Sequence, residues 1–123
     1  MIADAPDNVS YADYVTDDMN CMLGATLRSM KKCRLWPLPR CDIYVDSVYQ
    51  LTTSLKGVIR VLSRDYSQNS VLLGRMLDLQ NHVDSILRDK FANNLKPVLS
   101  ANQAQRLEAR GKETGLYRWP AAQ

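Results

Sequence analysis

Apolar residues recur along this chain at steps of three and four, and those steps outline helices. Val48, Leu51, Leu55, Val58 and Leu62 advance by 3, 4, 3 and 4, and Tyr44 extends the line backwards by four. Leu72, Met76, Leu79, Val83 and Ile86 advance by 4, 3, 4 and 3. Spacing of this kind gathers apolar side chains on one helix face, and its seven-residue repeat is that of a coiled-coil seam. Leu73, Leu77, Leu87 and Phe91 widen the second stripe, which suits packing on more than one neighbour. A looser stripe of Met19, Met22, Leu23, Leu27 and Met30 comes earlier. Its methionines adapt to irregular surroundings, in a core or on a binding groove, and a core is the favoured reading.

Punctuation between the stripes sets the element limits. Trp36-Pro37-Leu38-Pro39 cannot continue a helix, because each proline lacks an N–H and pushes its predecessor towards extended angles. The stretch is expected to be a stiff corner. Asp42 is a good helix-start residue just beyond it, and Pro97 stops a helix at or before Lys96. Ser100 and Gln103 have capping-box spacing, and Gly111 suits a helix stop. The sequence therefore predicts an all-α, up-down bundle of three main amphipathic helices, about 15–33, 42–64 and 69–95. A short C-terminal helix follows at about 100–111. Residues 1–14 form an acidic arm, 15–112 a helical domain and 113–123 a tail. The short helix offers only Ala101, Ala104, Leu107 and Ala109 as apolar residues, so it is expected to be weakly held.

One junction allows two architectures. The heptad phase runs unbroken through RDYSQNS (64–70), so residues 42–95 read either as one long rod or as a hairpin. A rod would place Asp65 and Asn69 in its apolar seam, at a cost in stability. The hairpin puts them in water and is preferred. Gly57 and Gly74 stand at equal distances from its turn and are expected to face each other across a close approach.

Composition is that of an ordinary soluble domain, with 46% apolar and 24% charged residues in a chain of 123. The net charge of +3 is mild, but its distribution is not even. Residues 1–27 hold five Asp and no Lys or Arg, whereas residues 28–40 hold five basic residues and no acid. A helix from about Asp17 to Lys32 with acids at its positive end and bases at its negative end accounts for this. The start MIADAPDNVSYADY lacks the basic and apolar stretches of a secretory signal. No apolar run reaches the ~18 residues of a membrane span. No membrane insertion is expected, and the location is read as cytoplasmic, or the virion if the protein is viral. Cys21, Cys33 and Cys41 are odd in number and loosely spaced, so they are read as reduced structural thiols. A Cys33–Cys41 disulfide and a metal clip are the alternatives.

Catalytic chemistry is hard to assemble from these residues. His82 is the single histidine and flanks an apolar stripe, and no phosphate loop or nucleophile elbow is present. No catalytic, cofactor or metal residues are assigned. The expected function is a non-enzymatic protein–protein interaction module, an assembly subunit, adaptor or chaperone-like protein. It would act as a homo-oligomer or within a larger complex, and a viral or phage structural component fits. The proposed contacts are the seams, Val48, Leu51, Leu55, Val58, Leu62, Leu72, Met76, Leu79, Val83 and Ile86, with Tyr117 and Trp119 of the tail as anchors. The alternative is a basic nucleic-acid-binding protein contacting phosphates through Lys31, Lys32, Arg34, Arg40, Lys56, Arg60 and Arg64.

Overall fold

The computed structural model describes residues 8–35, 41–64, 66–88 and 93–116. The helices are α1 (Asn8–Leu35), α2 (Asp42–Arg64), α3 (Tyr66–Ser85), α4 (Asn93–Leu95) and α5 (Ala101–Thr114). No strand occurs among the described residues. The all-α bundle with three long helices and a short C-terminal one is thus the observed architecture. Helices α1, α2 and α3 pack on one another, α5 lies against α2, and α4 touches α1.

The up-down course can be traced from side chains. Thr26 Oγ1 donates to Met22 O of its own helix at 2.9 Å and reaches Ser47 O of α2 at 3.4 Å. Met19 and Met22 share a groove with Val58 and Leu62 further along, so α1 and α2 run antiparallel. Leu72 of α3 lines that same groove beside Leu62. The chain therefore folds back after α2, and the hairpin is the form adopted. Asp13 of α1 pairs with Arg75 of α3 at the same end.

Both heptad seams are the core of this single chain. Val48, Leu51, Leu55, Met76 and Val83 are fully buried, and Leu62, Leu72, Leu79 and Ile86 nearly so. Val58 is half-buried and packs against the same cluster. Burial of a Leu or Val side chain stabilises the fold by roughly 1.5–3 kcal/mol each. The looser stripe of α1 joins them through Met19, Leu23 and Met30, with Met22 and Leu27 at its margin.

Several boundaries differ from the sequence reading, each for a local reason. Helix α1 begins at Asn8, inside the expected arm, because Ala12 and Val15 continue the inward stripe back from Met19. Asp17 and Asp18 thus lie more than two turns inside a helix, beyond the first turn where the dipole acts. Their placement at a helix start is corrected. Helix α3 ends at Ser85 and gives way to a wider turn at 86–88. Pro97 fixes only the latest point at which a helix can end. Leu95 O accepts from Val98 N at 2.8 Å and Leu99 N at 3.0 Å, which closes the next turn with Leu95 and Leu99 buried. Helix α5 continues through the buried Gly111 to a left-handed cap at Gly115, φ 72°, a conformation that suits glycine. Gly57 and Gly74 do not meet: a Cβ added at either has nothing within 4 Å.

The corner after α1 is closed covalently. Cys33 and Cys41 form a disulfide across eight positions, with their Cα atoms 5.0 Å apart and both residues buried. The expectation of reduced thiols is corrected for this pair. Spacing alone leaves the bond open, and what decides it is the reversal of the chain between α1 and α2. Residues 36–40, including Trp36 and Arg40, lie outside the described residues. Reduction should lower stability by about 2–3 kcal/mol, the loop-closure contribution for a ring of this length. Thermal unfolding with and without a reductant measures it, and an unchanged midpoint would show that the corner holds without the bond.

Candidate interaction surface

Two surfaces stand out once the core is assigned, one polar and internal, one open to solvent. The polar one joins α5 to α2, with the two helices running parallel. At its start the capping box of Ser100 and Gln103 forms as the sequence implied. Gln103 N donates to Ser100 Oγ at 3.2 Å, and Ser100 N donates to Gln103 Oε1 at 3.0 Å. Gln103 Nε2 then donates to Asp42 of α2 at 2.9 Å. One turn on, Arg106 lies 3.5 Å from Asp46. At the far end Lys56 Nζ donates to Glu113 O at 2.7 Å, a cation at the negative end of a helix.

Arg110 forms the middle of this seam and is 6% exposed. Its Nε donates to Thr52 Oγ1 at 3.1 Å and its Nη2 to Tyr49 O at 3.4 Å. Nη1 pairs with Glu113 at 3.1 Å, and the guanidinium lies 3.9 Å over the Tyr49 ring. An arginine in a short helix that offers few apolar residues does not by itself signal burial, so sequence reasoning missed it. The signal was present: Gln103, Leu107, Arg110 and Thr114 step by 4, 3 and 4 and are all buried. Of the apolar residues expected to hold this helix, Leu107 is buried, Ala104 is half-buried, and Ala101 and Ala109 are exposed.

The open surface is the outer face of α1 with the adjoining edge of α2. Tyr14, Asp18, Cys21, Ala25, Arg28, Lys32 and Leu35 are all exposed and step by 4 and 3 alternately. They form a second stripe on α1, opposite in character to the buried one. Two grooves run beside it along the α1–α2 crevice. One, of about 530 Å³, is lined by Val15, Met19, Met22, Gly57, Val58 and Val61. The other, of about 520 Å³, is lined by Ala25, Cys33 and Ile43, with Arg28 and Lys32 at its rim. Ile43 is 70% exposed, Val61 60% and Leu35 66%.

The residues expected to mediate binding are distributed differently from the expectation. The seam positions Val48, Leu51, Leu55, Leu62, Leu72, Met76, Leu79, Val83 and Ile86 face inward, into the chain's own core. Val58, Leu62 and Leu72 also line one of the grooves. Tyr117 and Trp119 lie outside the described residues. Among the basic set, Lys31, Lys32 and Arg34 are exposed at the end of α1, and Arg60 and Arg64 are exposed on α2. Lys56 is half-buried and tied to α5, which breaks the expected stripe of three. His82 is exposed.

Buried hydroxyls also bond within their own helices. Ser29 donates to Thr26 O at 2.8 Å, Thr52 to Val48 O at 2.7 Å and Thr114 to Arg110 O at 2.8 Å. Among the described residues, Thr16 Oγ1 is the buried side-chain oxygen that lacks a partner, and no group of His, Cys, Asp and Glu gathers as a metal site. No described helix is long and apolar enough to cross a membrane. Comparison with protein-family models, curated proteins and solved structures gives no match.

Proposed function

We propose that this protein is a non-enzymatic helical interaction module, an assembly subunit or adaptor that works through the outer face of α1 and the edge of α2. The observation that carries the reading is the placement of Tyr14, Leu35, Ile43 and Val61. Tyr14 and Leu35 are exposed on the outer face of α1, and Ile43 and Val61 are exposed at the two grooves beside it. Large apolar side chains left in solvent beside open grooves on a small domain are characteristic of a docking site. Asp42, Thr52, Gln103, Arg110 and Thr114 are engaged in the α2–α5 seam.

A viral or phage structural component is one setting for such a module. The cytoplasmic location expected from the sequence fits with the Cys33–Cys41 clip open. A virion or another oxidising setting fits with it closed. The nucleic-acid alternative is less well supported, because Lys56 is engaged and Asp17 and Asp18 lie exposed on the same helix as Lys31 and Lys32.

Cys21 allows a direct test, as it is the free, exposed thiol on the proposed face. A photo-cross-linker attached there should give discrete protein adducts when the labelled chain is irradiated in extract of its native cells. The yield should fall at least tenfold for Ile43→Asp combined with Val61→Asp. Adducts that are absent, or unaffected by the substitutions, would sink the reading.

A further inference from the structure

We infer that the outer face of α1 pairs with the same face of a second copy, antiparallel, about a two-fold axis that crosses near Gly24 and Ala25. The inference rests on the interaction reading above and names its partner. It begins from a feature the helix dipole leaves unexplained: the outer face of α1 is acidic in one half and basic in the other. Asp17 and Asp18 are exposed in the first half, Arg28, Lys31 and Lys32 in the second. A parallel pair would set like charges together. An antiparallel pair sets each half against its opposite, which is the symmetry of a self-complementary interface.

The positions also match in detail. An axis between residues 24 and 25 brings Asp17 and Asp18 of one copy level with Lys31 and Lys32 of the other. Tyr14 and Leu35, the large exposed apolar residues of this helix, fall opposite each other at the two ends. At the crossing stand the small residues Gly24 and Ala25, with the Arg28 guanidinium folded beside Gly24.

The neighbouring edge of α2 supports the same axis. Thr26 stands beside Ser47, so the axis meets α2 near Val48 and Tyr49. Ile43 and Ser54 lie at equal distances on either side of that point. The exposed Ile43 of one copy therefore comes over the groove that Ser54, Gly57 and Val58 line on the other. The paired faces are roughly 32 Å long and two helix widths across. That gives roughly 600 Å² per copy, below the ~800 Å² typical of a stable interface. The pairing is accordingly weak, with Kd in the micromolar range.

The test exchanges charges. Wild-type protein measured by light scattering should rise from 14.0 kDa towards twice that mass as concentration increases to about 200 µM, well above a micromolar Kd. Added salt should weaken the association. Asp17→Lys with Asp18→Lys should hold the chain monomeric with unchanged far-UV helicity, and so should Lys31→Glu with Lys32→Glu. Mixed one to one, the two variants should form a heterodimer at least tenfold tighter than either alone, because every charge pair across the axis is restored. A wild-type chain that stays at 14.0 kDa would overturn the pairing while leaving Cys21 adducts with a different protein as support for the broader reading. Variants that dimerise like wild type, or a mixture that stays monomeric, would also overturn it.

Discussion

Leu55→Asp and Val83→Asp should each unfold the protein, instead of dividing an assembly into folded subunits. Both side chains are fully buried in the chain's own core. Leu55 belongs to the stripe of α2 and Val83 to that of α3, and the two stripes close on each other within one hairpin. Both side chains sit in a cluster of buried apolar residues, and Arg110, the cation buried nearby, is already bonded to Thr52, Tyr49 O and Glu113. A carboxylate at either site must be buried at a cost of several kcal/mol or drag water into the bundle. A domain of this size has about 5–15 kcal/mol of stability in all. Loss of the far-UV helical signal at 25 °C, or a urea midpoint reduced by more than half, is the expected result. Val61→Asp is the control, since Val61 is 60% exposed on the same helix and should leave helicity unchanged. A Leu55→Asp protein that remains fully helical but becomes smaller in solution would place the seam between molecules and contradict the bundle described above.

That experiment bears on why the sequence was informative in one respect and misleading in another. Three- and four-residue steps identify which face of a helix is apolar, because a helix repeats every 3.6 residues. They do not identify what covers that face. The stripes at 48–62 and 72–86 are the same whether the covering helix is in cis or in trans. Only the reversal between α2 and α3 decides it, and no glycine or proline stands at that join in the sequence to announce it. The candidate surface was not legible, for the complementary reason. Tyr14, Cys21, Arg28 and Leu35 repeat every seven residues, but a mixed stripe of aromatic, thiol, base and aliphatic does not register as a pattern until burial separates it from its neighbours. The charge segregation on α1 was visible at once. Its meaning changed when the helix proved to start at Asn8, since that moved Asp17 and Asp18 away from the end of the dipole.

Replacing Arg110 with Ala should destabilise the protein by roughly 2–3 kcal/mol, the range for hydrogen bonds made by a charged group at a buried site. The weight does not lie in the ion pair, because Glu113 is 61% exposed and water screens it. It lies in the two bonds to Thr52 and Tyr49 O and in the stacking on the Tyr49 ring. Arg110→Lys should recover only a small part, since an ammonium cannot reproduce the planar fork or the stack. Glu113→Ala should cost no more than about 0.5 kcal/mol. Urea unfolding of the three variants orders the contributions. Hydrogen exchange adds the spatial test: amides of α5 should lose protection in Arg110→Ala while those around Leu51 and Leu55 keep theirs, because α5 docks on a bundle whose core forms without it. An Arg110→Ala protein as stable as wild type would mean that Leu107, Leu116 and the contacts at the two ends of the seam suffice to hold α5, and that the buried guanidinium contributes no net stability at this site.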